Sequence, residues 1–223
     1  MSNDERNSPA GKESYWQDYY SRRASAGMPL PSQFSVFVAG ELGERHQVFD
    51  IGCGGGRDSM LFASRGHRVT GVDGSQAAVS SCMGLAANSG TEDATFVCSP
   101  ITDSGLAARI QPNAELPVVV YARFFLHALT EEEEGYFFRL ARELTRDGDT
   151  LALEFRTMRD RAQEKVTDSH YRRFIDPVEF NARAMAHGFV TTYFVEGFGF
   201  AKYKQDDAHV ARFLFRRKSV DGE

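Results

Sequence analysis

Two aspartates and a run of glycines between residues 48 and 75 carry the most specific chemistry in this chain. The segment reads VFDIGCGGGRDSMLFASRGHRVTGVDGS. A short apolar run, Val48-Phe49, ends in Asp50. Gly52, Gly54 and Gly56 follow at alternate positions, with Gly55 between the last two. The pattern predicts a helix from about Asp58 to Arg65 and a second strand over Arg68 to Val72 that ends in Asp73. Strand, glycine turn, helix, strand and terminal acid make the layout of a nucleotide-binding βαβ unit. The glycines let the backbone turn tightly, so that a ligand can lie against bare peptide groups. Asp73 stands 21 positions after Gly52, close to the roughly 20-residue spacing at which such units place an acid on ribose hydroxyls. A dinucleotide fold needs G-x-G-x-x-G, which seats a pyrophosphate at the helix N-terminus. Here the pattern is D-x-G-x-G-x-G. An acid two residues before the first glycine repels a pyrophosphate and suits an ammonium group.

With an acid, a glycine triplet and a second acid in this order, the stretch resembles the class I S-adenosylmethionine-dependent methyltransferases, and GCGGGRDSMLFASRGHRVTGVD looks most like their small-molecule and tellurite-resistance type. The resemblance implies S-adenosylmethionine as cofactor. Asp50 and the loop of Gly52, Cys53, Gly54 and Gly56 would hold its methionine part, and Asp73 with Gly74 its ribose. It also implies that N-terminal aromatics, Tyr20 among them, fold over the cofactor as a lid; plain packing at the domain edge is the alternative. Family members commonly carry an acid after the third strand that reaches the adenine. Here Ser99-Pro100-Ile101 stands in its place, so Ile101 lines the cofactor while Asp103, or Ser99 with backbone groups, takes over the polar contact.

A second group of reactive side chains follows the fourth strand. The run V-V-V-Y-A-R-F-F-L-H-A-L reads as a buried parallel strand ending in Arg123, with His127 just beyond. In an α/β sheet the carboxyl ends of the strands form the active crevice. Methyl transfer from a sulfonium needs positioning and water exclusion, and a weakly acidic hydroxyl acceptor also needs a base. His127 is the first candidate base and His170 the second; packing on the next helix is the structural alternative for His127. Arg156 ends the fifth strand, and an insertion over about 156–175, where the resembled family builds its substrate pocket, supplies Tyr171, Arg172 and Arg173. Guanidinium groups fit carboxylate and phosphate oxygens bidentately, so the acceptor is expected to bear an anionic group, unless these arginines only bridge to Glu154, Asp160 and Asp168. Arg212, Arg216, Arg217 and Lys218 read as a solvated strand face. Ala122-Arg123-Phe124-Phe125 stands where amino-methylating enzymes of the DNA and protein-glutamine kind carry an N-P-P-Y-like tetrad.

The elements that must position these groups are legible from pattern and punctuation. The chain has 223 residues, 42% hydrophobic and 26% charged, enough for one domain with a real core. Most of its 18 Phe fall in the second half. Residues 1–14 are polar and expected to be disordered, 15–45 to form a helical lid, and 46–223 the methyltransferase domain. Caps are expected at Ser32, Ser75, Thr130 and Asp176. Residues 189–203 and 208–216 look like closing antiparallel strands. The fold implied is Rossmann-like: a seven-stranded, mostly parallel sheet with helices on both faces and one antiparallel strand near the C-terminus.

Composition narrows the partners. No apolar run approaches the length of a membrane span. The N-terminus lacks a secretion-signal pattern. Net charge of −5 argues against a nucleic-acid substrate. Cys53, Cys82 and Cys98 form no C-x-x-C pair, so neither a zinc site nor a disulfide framework is expected. The expectation is therefore a metal-independent cytoplasmic enzyme, monomer or homodimer, with a small-molecule acceptor. A non-catalytic cofactor-binding protein and, less favoured by the glycine spacing, a nicotinamide-dependent oxidoreductase remain as alternatives.

Overall fold

Strands β1 (Gln47–Ile51), β2 (Arg68–Asp73) and β4 (Val118–Arg123) are almost continuously buried because both of their faces are covered. The computed structural model describes residues 9–22, 30–161, 163, 171–203 and 206–219. The remaining strands of the main sheet are β3 (Ala94–Cys98), β5 (Thr150–Arg156), β6 (Phe189–Gly197) and β9 (Val210–Arg217), in the order β3-β2-β1-β4-β5-β9-β6. β9 runs antiparallel to both neighbours and the other pairings are parallel. The expected architecture is thus the one observed. β1 pairs with β2 on one side and β4 on the other. The connections that leave these strands diverge there, and a crevice opens at their carboxyl ends.

Alternate residues of each strand feed opposite layers. Phe49, Ile51, Val120 and Ala122 point to the layer of α5 (Leu106–Arg109), α6 (Glu131–Leu144) and α7 (Pro177–Ala186). Val48, Val119 and Tyr121 point to the layer of α2 (Gln33–Glu41) and α3 (Arg57–Ser64). α4 (Gln76–Ser89) packs its Val79 and Cys82 with Cys53 and Phe96 beside the glycine loop. Ser32, Ser75 and Asp176 accept hydrogen bonds from the first-turn amides of their helices. Thr130 and Glu133 form a reciprocal capping box on α6.

Three expectations change. The N-terminal helix α1 spans Pro9–Ser21, so the stretch expected to be disordered is helical from Pro9, and residues 1–8 lie outside the described residues. The closing strand expected to run to Tyr203 ends at Gly197; a small ribbon of β7 (Lys202–Tyr203) and β8 (Asp206–Asp207) follows before β9. Arg212 is not solvated but buried, for a reason given below.

Seven phenylalanines of the second half, Phe137, Phe138, Phe155, Phe180, Phe189, Phe213 and Phe215, share one buried cluster around α7 and the sheet. The ring of Phe180, fully buried, lies 4.7 Å from that of Phe155, 5.5 Å from Phe138 and 6.0 Å from Phe213. With Phe215 at 6.3 Å as a fourth neighbour, replacing Phe180 with Ala leaves a cavity that the surrounding rings cannot fill. We expect Phe180→Ala to cost about 3–5 kcal/mol, read as a lower urea midpoint at unchanged slope. Phe194→Ala, on a half-exposed ring, should cost less than about 1.5 kcal/mol.

Candidate active site

Asp50 closes β1 with its carboxyl 2% exposed, accepting a 2.5 Å hydrogen bond from Ser59 Oγ of α3. Burial raises it to about 7, helped by the nearby charges of Asp58 and Asp73 and opposed by the Ser59 bond. Among the described residues it makes no ion pair. A buried carboxyl held this way is a seat for a cation brought by a ligand. The following turn is pinned across the sheet, since Gly52 N and Cys53 N both donate to Val72 O, at 2.8 and 3.1 Å.

The alternating glycines have a steric reason. Gly52, Gly54 and Gly56 all have positive φ, at 75°, 54° and 78°. A Cβ at Gly52 would strike the Phe125 ring, one at Gly54 the Tyr20 hydroxyl, and one at Gly56 would come within 2.8 Å of Cys82 Sγ. The Cys82 thiol also donates to Gly54 O at 3.0 Å. Asp73 then ties the loop to the next helix: Oδ2 accepts from Gly54 N and Oδ1 from Ser75 N, both at 2.9 Å. Burial raises its carboxyl, while these two amides lower it. Gly74 follows at the mouth, its carbonyl 3.7 Å from Cys98 Sγ. α1 lies across this end, with Gln17 Oε1 accepting from Ser75 Oγ at 3.0 Å and Ala77 N at 3.2 Å.

Beyond β3, Ile101 is half-buried against the apolar core. Asp103, considered as a replacement acid, is engaged by other groups. It accepts from Gly105 N at 2.8 Å, Ser99 Oγ at 3.0 Å and Arg109 Nη2 at 2.7 Å, and these hold its carboxyl below the usual range.

The other side of the crevice is built on the ends of β4 and β5. Phe124 has φ 54°, the only positive value at a non-glycine among the described residues. Its amide donates to Glu154 O at 2.9 Å, which holds the strained turn in place. Its ring lies 4.2 Å below the Arg123 guanidinium, 5.2 Å from that of Arg156, and edge-on to His127 at 5.4 Å. His127 is 4% exposed, in a 3-10 turn over Leu126–Ala128, and its carbonyl accepts Arg173 N at 2.7 Å. The segment carrying Tyr171, Arg172 and Arg173 docks on the end of β5 through a Thr157–Ile175 bridge.

The arginines of this side are matched to internal carboxylates. Fully buried Glu154 accepts from Arg123 Nε at 2.7 Å and Arg212 Nε at 2.6 Å. Arg156 pairs with Asp160 at 2.7 Å and Asp206 at 2.5 Å. Glu134, also buried, pairs with Arg173 and with Arg183 at 2.6 Å. Arg172 has its charge disfavoured by burial and by Arg156 beside it. Tyr171 is half-buried, its hydroxyl pushed up by burial. His170 and Asp168 lie outside the described residues. Glu154 and Asp160 are thus bridge partners, as the structural alternative had it.

The structure brings Asp50, the glycine loop and Asp73 to one edge of the crevice, and Arg123, His127, Arg156 and Arg173 to the other. Sequence reading missed Gln17, Ser59, Glu134 as an arginine partner, the Phe124–Phe125 turn and the pairing of Arg212. Only Phe124-Phe125 carried a signal, as the aromatic pair in the post-β4 position. Arg212 alternates with apolar residues on β9 and reads as solvent-facing until Glu154 on β5 is found opposite in the register. Among the described residues no group of three His, Cys, Asp or Glu side chains could hold a metal, and no helix is long and apolar enough to cross a membrane.

Comparison with known proteins agrees with this geometry. Residues 48–148 match the methyltransferase domain family. The fold is shared with a structure described for conversion of a disulfide bond into a thioacetal group during echinomycin biosynthesis, at TM-score 0.69, 18% identity, and coverage of 92% of this chain and 93% of that one. It is shared too with magnesium protoporphyrin IX methyltransferase from Synechocystis PCC 6803 with bound SAH, at TM-score 0.68, 16% identity, and coverage of 93% and 100%. A TehB-like SAM-dependent methyltransferase from Corynebacterium glutamicum aligns at TM-score 0.62, 15% identity, and coverage of 95% and 100%. Residues 48–148 thus carry the methyltransferase domain match, within a fold shared with S-adenosylmethionine-dependent methyltransferases.

Removing the Glu154 charge strands two buried guanidiniums. Glu154→Gln should destabilise the protein by about 3–5 kcal/mol in chemical unfolding. A loss under about 1 kcal/mol would show that water compensates the pair.

Proposed function

We propose that the protein transfers the methyl group of S-adenosylmethionine to a hydroxyl oxygen of a small molecule of natural-product or sugar type that carries one anionic group. The observation that carries the methyl-transfer reading is the buried, cation-free Asp50 beside a glycine loop whose backbone is bare and pinned to Asp73. When bound, the cofactor supplies an electrophilic methyl on a sulfonium. Asp50 would hold its ammonium, the loop of Gly52, Cys53, Gly54 and Gly56 its methionine part, Asp73 and Gly74 its ribose, and Ile101 its adenine, with Tyr20 above.

Support for the acceptor class comes from charge. Glu154 and Glu134 each face two guanidiniums while Arg156 faces two carboxylates, so the three groups together retain one positive charge. One carboxylate or phosphate would balance it. His127 would take the hydroxyl proton, with the Arg173 amide fixing its turn and Phe124 bordering its ring. The small-molecule acceptor is in keeping with the named activity of the protoporphyrin relative.

Asp50 makes cofactor affinity pH-dependent. Its carboxyl keeps its proton to about pH 7 in the free protein, whereas in an unfolded chain it ionises near about 4. This group therefore makes the free protein less stable as pH rises from about 4 to about 7, and a bound ammonium offsets that loss. Binding of S-adenosylhomocysteine, which keeps the ammonium, should weaken about eightfold from about pH 7.5 to about pH 6. Asp50→Asn should bind weakly at both pH values; a flat profile in the wild type would remove Asp50 from the site.

Turnover is tested by S-adenosylhomocysteine release with two acceptor pools, one of carboxylated and phosphorylated metabolites, one of neutral phenols, amines and sugars. We expect release with the first pool only. His127→Gln should lower it about a hundredfold or more, at unchanged cofactor affinity. Release with the neutral pool alone would reduce the arginines to bridges.

A further inference from the structure

α1 is fastened at two places, one on each half of the crevice. At its C-terminal end Gln17 accepts from the first turn of α4, and the Tyr20 hydroxyl rests on Gly54, where burial and the Asp73 charge push it up. At its N-terminal end Lys12 Nζ donates to Glu133 Oε2 at 2.8 Å and to Ala128 O at 3.4 Å, and lies 4.4 Å from the centre of the Tyr171 ring. Lys12 is 10% exposed, so this pair is better shielded than an ordinary surface bridge. Although burial raises Glu133, Lys12 and the Thr130 amide hold its carboxyl below the usual range.

Among the described residues, the partners of the Lys12 side chain belong to the acceptor half. Glu133 closes the capping box of α6, Ala128 follows His127 in the same turn, and Tyr171 stands two residues before Arg173, whose amide binds the His127 carbonyl. From Lys12 to Tyr20 is only about 12 Å of helix, which moves as a rigid body. The end that covers the glycine loop cannot lift without loosening the Lys12 end.

We propose that Lys12 is a positioning residue that couples closure of α1 over the cofactor to the ordering of the acceptor wall at 126–130 and 171–175. The coupling rests on the cofactor reading above and goes beyond it. The cofactor docks first, α1 closes, and only then are the His127 turn and Tyr171 held for the acceptor. Acceptor affinity is accordingly higher in the cofactor complex than in the free protein.

The test is amide hydrogen exchange of the full chain with and without saturating S-adenosylhomocysteine. In the wild type we expect the ligand to slow exchange in 9–22 and also in 126–130 and 171–175, by about fivefold or more. In Lys12→Met the affinity should stay within about threefold of wild type, with 15–22 still protected but the two acceptor segments no longer responding. Lys12→Arg should restore the response, which loss of mere packing would not predict. Gln17→Ala should weaken binding about threefold to tenfold, yet keep the response once the ligand saturates. Should Lys12→Met fail to fold, Lys12→Gln takes its place. A wild-type response confined to 9–22, or a Lys12→Met response equal to wild type, overturns the coupling. Failure of the wild type to bind S-adenosylhomocysteine at all overturns the cofactor reading instead.

Discussion

The Asp73 carboxylate is the joint on which the glycine-loop edge of the crevice depends. It spans two elements at once, taking the Gly54 amide with one oxygen and the Ser75 amide with the other. The turn after β1, the end of β2 and the start of α4 are thereby one rigid unit. α1 fastens onto that unit through Gln17, on the Ser75 hydroxyl that also caps α4. A carboxylate accepting two backbone amides keeps spare lone pairs toward the crevice. The joint therefore shapes the loop and still presents an acceptor to a ligand.

Across the crevice the organising principle is electrostatic. Glu154 and Glu134 are buried acids, and each would be costly without its two arginines. Each bridge connects elements distant in sequence: Glu154 on β5 joins Arg123 of β4 to Arg212 of β9, and Glu134 on α6 joins Arg173 of the pocket segment to Arg183 of α7. The strained Phe124 is carried on the same frame, through its amide bond to the β5 backbone. A rigid charged frame around a bent aromatic turn suits a site that must orient an acceptor without carrying out much covalent chemistry.

The two halves meet through α1, whose sequence gave little indication of this. The WQDYY aromatics were legible as a helical face, but Lys12 and Gln17 look like ordinary solvated residues. Their importance comes from what stands opposite them, an α4 first turn and an α6 capping box more than fifty and a hundred residues away.

What the sequence determined by itself was whatever depends on local geometry. The alternation of strands with capped helices, the left-handed backbone at Gly52, Gly54 and Gly56, and the caps at Ser32, Ser75, Thr130 and Asp176 rest on geometry within a few residues, whereas the side chains that crowd those glycines, Phe125, Tyr20 and Cys82, arrive from elsewhere in the chain. The seven-stranded, mostly parallel sheet with an antiparallel strand near the C-terminus followed from the resemblance. Tertiary structure alone decided the fate of the charges. Arg123, Arg156, Arg173 and Arg212 carry the same formal charge in the sequence, and Arg212 even alternates like a solvent-facing residue. Which of them are buried, and against which acid, is set by strand register and helix docking. An ion pair depends on distance in space, and residues 123, 154 and 212 meet only once the sheet has assembled.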